Sequence, residues 1–138
     1  MKTQSKHLDL PLLETLYPTL GCTVLGSGEA LNKKKIQVQA LIDTGFDDFF
    51  SIPKSLANEL GITELKETEV QLGNGDQVTV DVGICELIFP FSNEIFVMNT
   101  IIDEDDECLI GMSLLSEICS SFEINFEQEV IRLYGLNI

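Results

Sequence analysis

The feature that most constrains this chain is the stretch Ala40–Asp48, where an apolar run ends in a group of polar residues. The first of these are an acid, a hydroxyl and a glycine, in the order Asp-Thr-Gly from Asp43 to Gly45. In the simpler interpretation a strand ends in a turn, Asp43 makes a local side-chain hydrogen bond, and Gly45 supplies a positive φ. In the alternative, a buried strand delivers the Asp43 carboxylate into an apolar site. The tripeptide alone leaves both interpretations open.

The rest of the chain is dominated by short segments in which apolar and polar residues alternate, the pattern of half-buried β-strands. Asn74-Gly75 lies between two such segments and predicts a β-hairpin. Pro53 and Gly61 bracket a short helix, since proline suits a first turn and glycine a left-handed end. Many short strands with two short helices among them predict an all-β fold, a small closed β-barrel. The predicted strands cover residues 19–25, 36–42, 49–52, 69–72, 77–82, 83–91, 95–102, 109–110, 121–126 and 129–134, and the second predicted helix covers residues 112–118.

Residues 1–18 form a predicted N-terminal arm ahead of a single domain at 19–138. Leucines alternate with other residues between positions 8 and 12, but Pro11 and Pro18 limit regular strand pairing. An edge strand, a partly disordered arm and a segment docked on a partner chain are three interpretations that the sequence leaves open.

The charge of the chain argues against several classes of partner. Its 23 acidic and 8 basic residues give a net charge of −15, whereas binding to nucleic acid or to an anionic membrane surface requires a basic patch. No apolar stretch long enough for a secretory signal or a membrane span follows the N-terminus, so a cytoplasmic location is expected. We therefore expect the chain to bind neither nucleic acid nor membranes.

Neither the cysteines nor the acidic run Asp103–Glu107 predicts a metal site. The cysteine spacings match no zinc pattern, and the acidic run lacks the spacing and the central glycine of an EF-hand. The run is interpreted as a solvated loop, and the cysteines as small, mostly buried apolar residues. No metal or other cofactor is therefore expected. The four cysteines are Cys22, Cys85, Cys108 and Cys119.

A second signal lies near the C-terminus, in the segment Cys108–Leu115, and a glycine-rich tip, Leu72–Asp76, lies between the two signals. Apolar-apolar-Asp-Thr-Gly, a glycine-rich hairpin and apolar-Ile-Gly-x-x-Leu-Leu, in that order, resemble the retropepsin-like (clan AA) aspartic proteases. The likeness is greatest to single-domain prokaryotic members, in which Asp-Thr-Gly-Phe-Asp is a familiar opening. Asp43–Asp48 also matches the retroviral pattern Asp-Thr-Gly-x-Asp-Asp, and the resemblance spans roughly residues 19–134.

The resemblance implies a retropepsin-like barrel that hydrolyses peptide bonds. Two carboxylates must act on one water, since an ionised acid takes its proton while a neutral acid polarises the scissile carbonyl. This chain carries one Asp-Thr-Gly, and Asp47 and Asp48 follow Asp43 too closely to supply the second carboxylate. A homodimer in which the Asp43 side chains of both subunits meet on the two-fold axis is the economical solution. The implied partners are a peptide or protein substrate and a second copy of the chain.

The resemblance also implies roles for neighbouring residues. Thr44 would hydrogen-bond across the two-fold axis, Gly45 would lie against the substrate backbone, and Asp47 would accept a substrate N–H. Asp48 would lie near a subsite wall, and the hairpin at 72–77 would close over the peptide as a flap. The implied catalytic residues are Asp43, Thr44 and Gly45, and the implied substrate-binding residues are Phe46, Asp47, Asp48, Leu72, Gly73, Asn74 and Gly75.

The second signal departs from the family pattern at two positions. Ile110, Gly111 and Ser113 are implied to support the Asp-Thr-Gly loop, but Ser113 stands where many relatives carry Asp or Asn. A serine has a shorter reach, so weaker or water-relayed support is expected. Met112 stands where retroviral enzymes have arginine, and it cannot pair with Asp47. A barrel that binds peptides or acts as a scaffold without cutting is therefore the alternative to an active protease.

Overall fold

Strands dominate the structure, a computed structural model that describes residues 7–12, 17–26, 34–62, 66–71, 73–104 and 106–136. The ten strands in these ranges are, in chain order, β1 (His7–Pro11), β2 (Thr19–Gly26), β3 (Lys35–Ile42), β4 (Phe50–Pro53), β5 (Lys66–Gln71), β6 (Gln77–Ile88), β7 (Ile95–Asp103), β8 (Leu109–Ile110), β9 (Ser121–Asn125) and β10 (Val130–Tyr134). The two helices are α1 (Lys54–Leu60) and α2 (Met112–Ile118). In the part of the chain that the structure describes, neither helix has the length and apolar character needed to cross a membrane. The predicted all-β class with two short helices is confirmed.

Six strands close into a barrel in the order β2-β3-β8-β4-β7-β6, because β6 also pairs with β2. The pairs β3–β8 and β4–β7 are parallel, and the other pairs in the barrel are antiparallel. Closure of this kind satisfies the strand edges within the barrel itself. The predicted small closed β-barrel is therefore confirmed.

Strand β6 is longer than the sequence predicts. The predicted strands 77–82 and 83–91 form one continuous strand, which passes through Gly83 and ends at Ile88. Its first residues pair with β5, and its second part pairs with β7. Gly83 marks no break because it stays in register opposite Thr100 of β7. The β5–β6 hairpin is thus an extension of a barrel strand.

The barrel interior is filled by apolar side chains at alternate positions along the strands. Along β2, for example, Leu20, Cys22 and Val24 are buried, while Gly21 and Thr23 between them are partly exposed. Helix α1 adds Leu56 and Leu60 to this core and ends at Gly61, whose φ of 73° is left-handed, as predicted. All four cysteines are free and buried, which confirms their interpretation as small core residues.

A second sheet has the order β1-β10-β9, with β1 at one edge. Of the three interpretations of the N-terminal arm, the edge strand is therefore confirmed for residues 7–11. Residues 1–6 and 13–16 of the arm lie outside the described ranges. Pro11 is tolerated because it is the last residue of an edge strand.

The outer face of this second sheet carries the only arginine of the chain. Arg132 in β10 makes ion pairs with Asp9 of β1 at 2.7 Å and with Glu123 of β9 at 2.8 Å. Ile131 and Leu133 alternate with it and are fully buried in the hydrophobic core. One face of the sheet therefore packs on the barrel. On the other face, the ion pairs of Arg132 join β1 to the hairpin formed by β9 and β10.

Candidate active site

Strand β3 carries Asp43 out of the barrel core. Ala40 and Ile42 are buried at the end of the strand, and Asp43, the next residue, is partly exposed. On one side the Ile42 N–H donates to the Pro18 carbonyl at 2.8 Å. On the other side the Asp43 N–H donates to the Ile110 carbonyl at 3.0 Å. The backbone that presents the Asp43 carboxylate is therefore held from two directions.

The Asp-Thr-Gly residues form a tight turn closed by two hydrogen bonds. The Gly45 N–H donates to Asp43 Oδ1 at 2.9 Å, so the predicted local side-chain bond is confirmed. The Phe46 N–H donates to the Asp43 carbonyl at 3.1 Å. The prediction of a positive φ at Gly45 is wrong. Among the described glycines, positive φ occurs at Gly61, Gly75 and Gly135. A turn closed by this backbone bond can form with negative φ at both central residues.

The segment from β8 into α2 supports the loop that follows the turn. The first N–H groups of any helix lack partners within the helix itself. The Met112 N–H donates instead to the Phe46 carbonyl at 2.8 Å. The Ser113 N–H likewise donates to the Asp47 carbonyl at 3.3 Å. The loop thus supplies the acceptors that the helix start needs, and the helix start in turn fixes the loop.

Ser113 supports Asp47 through its side chain as well. The Ser113 hydroxyl donates to the same Asp47 carbonyl that accepts the Ser113 N–H. The bond is direct and is not relayed by water, because the Asp47 carbonyl oxygen lies beside the start of the helix, within reach of the short serine side chain. Met112 supports the loop through its main-chain N–H, and this contact does not depend on the methionine side chain.

Gly111 touches the loop so closely that no side chain fits. A Cβ on residue 111 would stand 1.8 Å from the Asp48 carbonyl oxygen and 2.9 Å from Cδ2 of Phe46. The Gly111 N–H also donates to the Phe49 carbonyl at 2.9 Å. Its φ of −86° suits any residue, so packing rather than backbone conformation requires the glycine.

The other two acids of the loop are exposed. Asp48 Oδ1 accepts a hydrogen bond from the Phe49 N–H at 2.8 Å. The contacts of Asp47 with the described residues run through its carbonyl oxygen and not through its carboxylate. Carboxylate oxygens of both residues are therefore available to accept hydrogen bonds from a ligand. Within the described ranges, no group of three His, Cys, Asp or Glu side chains is arranged to hold a metal ion.

The predicted glycine-rich hairpin joins β5 to β6. At its tip the Asp76 N–H donates to Asn74 Oδ1 at 2.9 Å, and Gly75 has a left-handed φ of 91°. Gly73, Asn74 and Gly75 are exposed, and Leu72 lies outside the described residues. This hydrogen bond is internal to the hairpin, unlike those that join the Asp-Thr-Gly loop to the start of α2.

Sequence reasoning missed two acceptors that hold the site together. The Pro18 carbonyl binds the strand end at Ile42, and the Phe49 carbonyl binds Gly111. Every residue type carries a main-chain carbonyl, so no motif in the sequence could have indicated either contact.

The six-stranded barrel with its two short helices has the fold of retropepsin-like proteins, as two similar solved structures show. The protease of EIAV, in complex with the inhibitor HBY-793, matches it with a TM-score of 0.56 at 14% identity, over 72% of this chain and 86% of that one. The retroviral protease-like domain of Ddi1 from Leishmania major matches with a TM-score of 0.51 at 14% identity, over 88% of this chain and 94% of that one. A scan against models of protein families and a search of curated proteins find no match. The chain therefore has the retropepsin-like fold, as the sequence predicts.

Proposed function

We propose that this protein is an aspartic endopeptidase that acts as a homodimer. The observation that carries the proposal is the position of Asp43, a partly exposed residue that directly follows the buried end of β3 at Ala40 and Ile42. The loop that bears it is held by main-chain hydrogen bonds on two sides. The fold supports the same class of chemistry, because one similar structure is an inhibitor-bound protease.

In the proposed mechanism, each subunit supplies one Asp43. Two carboxylates at hydrogen-bonding distance share one proton, since a like charge disfavours the second ionisation. The ionised Asp43 takes a proton from a bound water, whose oxygen attacks the scissile carbonyl while the neutral Asp43 polarises that carbonyl. The C–N bond then breaks, and the leaving amine takes a proton from the pair.

The homodimer is part of the proposal because one chain carries one Asp-Thr-Gly. Thr44 and Gly45 are exposed in the single chain, so their surface is available to a second copy. Asp47 is tied through its carbonyl to Ser113, on the helix side of the loop. A two-fold axis beside the turn would pair Asp43 with its own copy and make the interface isologous. We propose that one terminal segment, residues 8–16 or residues 130–138, also lies in this interface.

The proposed substrate is a peptide or an extended segment of a protein. The exposed Asp47 carboxylate suits a substrate backbone N–H, and Asp48 would line a subsite beside it. The β5–β6 hairpin would close over the bound peptide and exclude water. Phe46, Leu72, Gly73, Asn74 and Gly75 complete the proposed substrate-binding set.

The proposal is tested by incubating a mixed peptide library with the wild-type, Asp43→Asn and Asp106→Asn proteins, with and without pepstatin. Asp43→Asn should reduce cleavage by about 10²–10⁴-fold, the contribution of a positioned acid–base group. Asp106 is an exposed acid in the loop between β7 and β8, so its variant is the matched control and should cleave normally. Cleavage retained by Asp43→Asn would refute the proposal. A folded wild-type protein that binds peptides but cuts none would support the non-catalytic barrel instead.

A further inference from the structure

Tyr17 precedes β2 by two residues, and the register of β2 and β3 carries it toward the proposed catalytic residue. No motif in the sequence indicates this placement. Strands β2 and β3 are antiparallel, with Thr19 opposite Leu41. The hydrogen bond from the Ile42 N–H to the Pro18 carbonyl continues the same register by one residue. Carried one residue beyond this bond, the register would set Tyr17 opposite Asp43, and residues directly opposite in an antiparallel pair project on the same side.

Tyr17 is 62% exposed. An aromatic ring has a large apolar body that is normally covered, with only its hydroxyl in contact with water. On the opposite flank the Asp43 N–H donates to the Ile110 carbonyl. Ile110 is fully buried there, and Gly111 has no room for a side chain. The exposed apolar surface that the protein offers to a ligand side chain next to Asp43 is therefore on the Tyr17 flank.

We propose that Tyr17 determines specificity, its ring packing against a substrate side chain next to the cleaved bond and selecting large side chains over small ones. This inference rests on the proposed protease function, since it assigns the contact to the same site. The hydroxyl stays in water and the ring supplies the contact. Phenylalanine should therefore replace Tyr17 with little loss.

The test compares Tyr17→Ala, Tyr17→Phe and Phe126→Ala on two peptides that differ only in a Leu or an Ala next to the cleaved bond. Phe126 is the matched control, because it is also 62% exposed but lies in the turn between β9 and β10. Tyr17→Ala should lower kcat/KM about tenfold on the Leu peptide and less than about twofold on the Ala peptide. Tyr17→Phe and Phe126→Ala should keep the wild-type ratio between the two peptides.

An equal loss on both peptides would overturn the inference, since it would mean that Tyr17 only stabilises the fold. Loss of the dimer in sedimentation by Tyr17→Ala would overturn it as well, because the residue would then belong to the interface.

A binding experiment separates this inference from the proposed function. The chain has two tyrosines and no tryptophan, so tyrosine-labelled Asp43→Asn protein gives one NMR ring signal for Tyr17 and one for Tyr134 as an internal reference. Addition of the Leu peptide should shift the Tyr17 signal, and Tyr17→Ala should weaken binding of that peptide about tenfold. This result would support the inference even if the wild-type protein cleaved nothing. An unshifted Tyr17 signal, or affinity independent of residue 17, would refute it whether or not cleavage occurs.

Discussion

Replacing Gly111 with alanine tests the close contact between the start of α2 and the Asp-Thr-Gly loop. The new methyl group would stand 1.8 Å from the Asp48 carbonyl oxygen, where ordinary contact needs about 3.4 Å. Because the obstacle is main chain and not the end of a flexible side chain, the loop and the helix start must separate by about 1.6 Å.

The expected cost follows from these contacts. Overpacking of this kind costs about 1–3 kcal/mol. Two hydrogen bonds cross the contact: the Gly111 N–H donates to the Phe49 carbonyl, and the Met112 N–H donates to the Phe46 carbonyl. Each bond contributes about 0.5–1.5 kcal/mol to stability. Alanine recovers about 0.4–1 kcal/mol by restricting the unfolded chain, since the φ of −86° is allowed for it. We therefore expect a net loss of about 2–4 kcal/mol in the free energy of unfolding.

Two assays check this prediction. Urea unfolding should show the lower stability, with Gly73→Ala as a control, because a Cβ at residue 73 meets no atom within 4 Å. At concentrations of urea where Gly111→Ala is still folded, kcat/KM should fall about 100-fold, the cost of displacing a reacting group by about 1 Å. Wild-type stability and activity in Gly111→Ala would contradict this prediction, because the loop would then not be packed against Gly111.

Three further predictions concern other contacts. Ser113→Ala removes the hydroxyl bond to the Asp47 carbonyl and should cost about 0.5–1.5 kcal/mol in urea unfolding. Ser116→Ala, which removes a bond within the same helix, should affect peptide cleavage less, and equal effects would argue against a role for Ser113 in the loop. The Arg132 guanidinium, aided by nearby His7, lowers the pKa of Asp9 from its ordinary value of 3.8, so the stability from this pair is complete above that pH and is lost as pH falls further. The difference in Tm between the wild-type and Asp9→Asn proteins should therefore be largest near neutral pH and vanish in strong acid, and a difference that grows with acid would contradict this sign. Burial raises the pKa of Cys22 to about 12 and that of Cys85 and Cys108 to about 11, so a thiol reagent at pH 8 should modify these residues only after denaturant is added.

Local patterns predicted the elements of this protein well where one residue type decides the backbone. The helix 112–118 and the end of α1 at Gly61 agree with the structure because apolar spacing and a left-handed glycine act over a few residues. The same local reasoning failed at Gly83, where strand pairing continues through the glycine. It also failed at Gly45, where a backbone hydrogen bond closes the turn without a positive φ.

The resemblance to aspartic proteases could be seen in the order of three short motifs: one Asp-Thr-Gly, a glycine-rich hairpin and an Ile-Gly segment. How these motifs are held together could be seen only in the folded chain. The closure of β6 on β2, the pairing of β1 with β10 and the approach of Gly111 to Asp48 all join residues far apart in the chain. Such contacts depend on how whole strands pack, and they use main-chain groups that every residue carries. The periodicity of a single segment therefore cannot determine them.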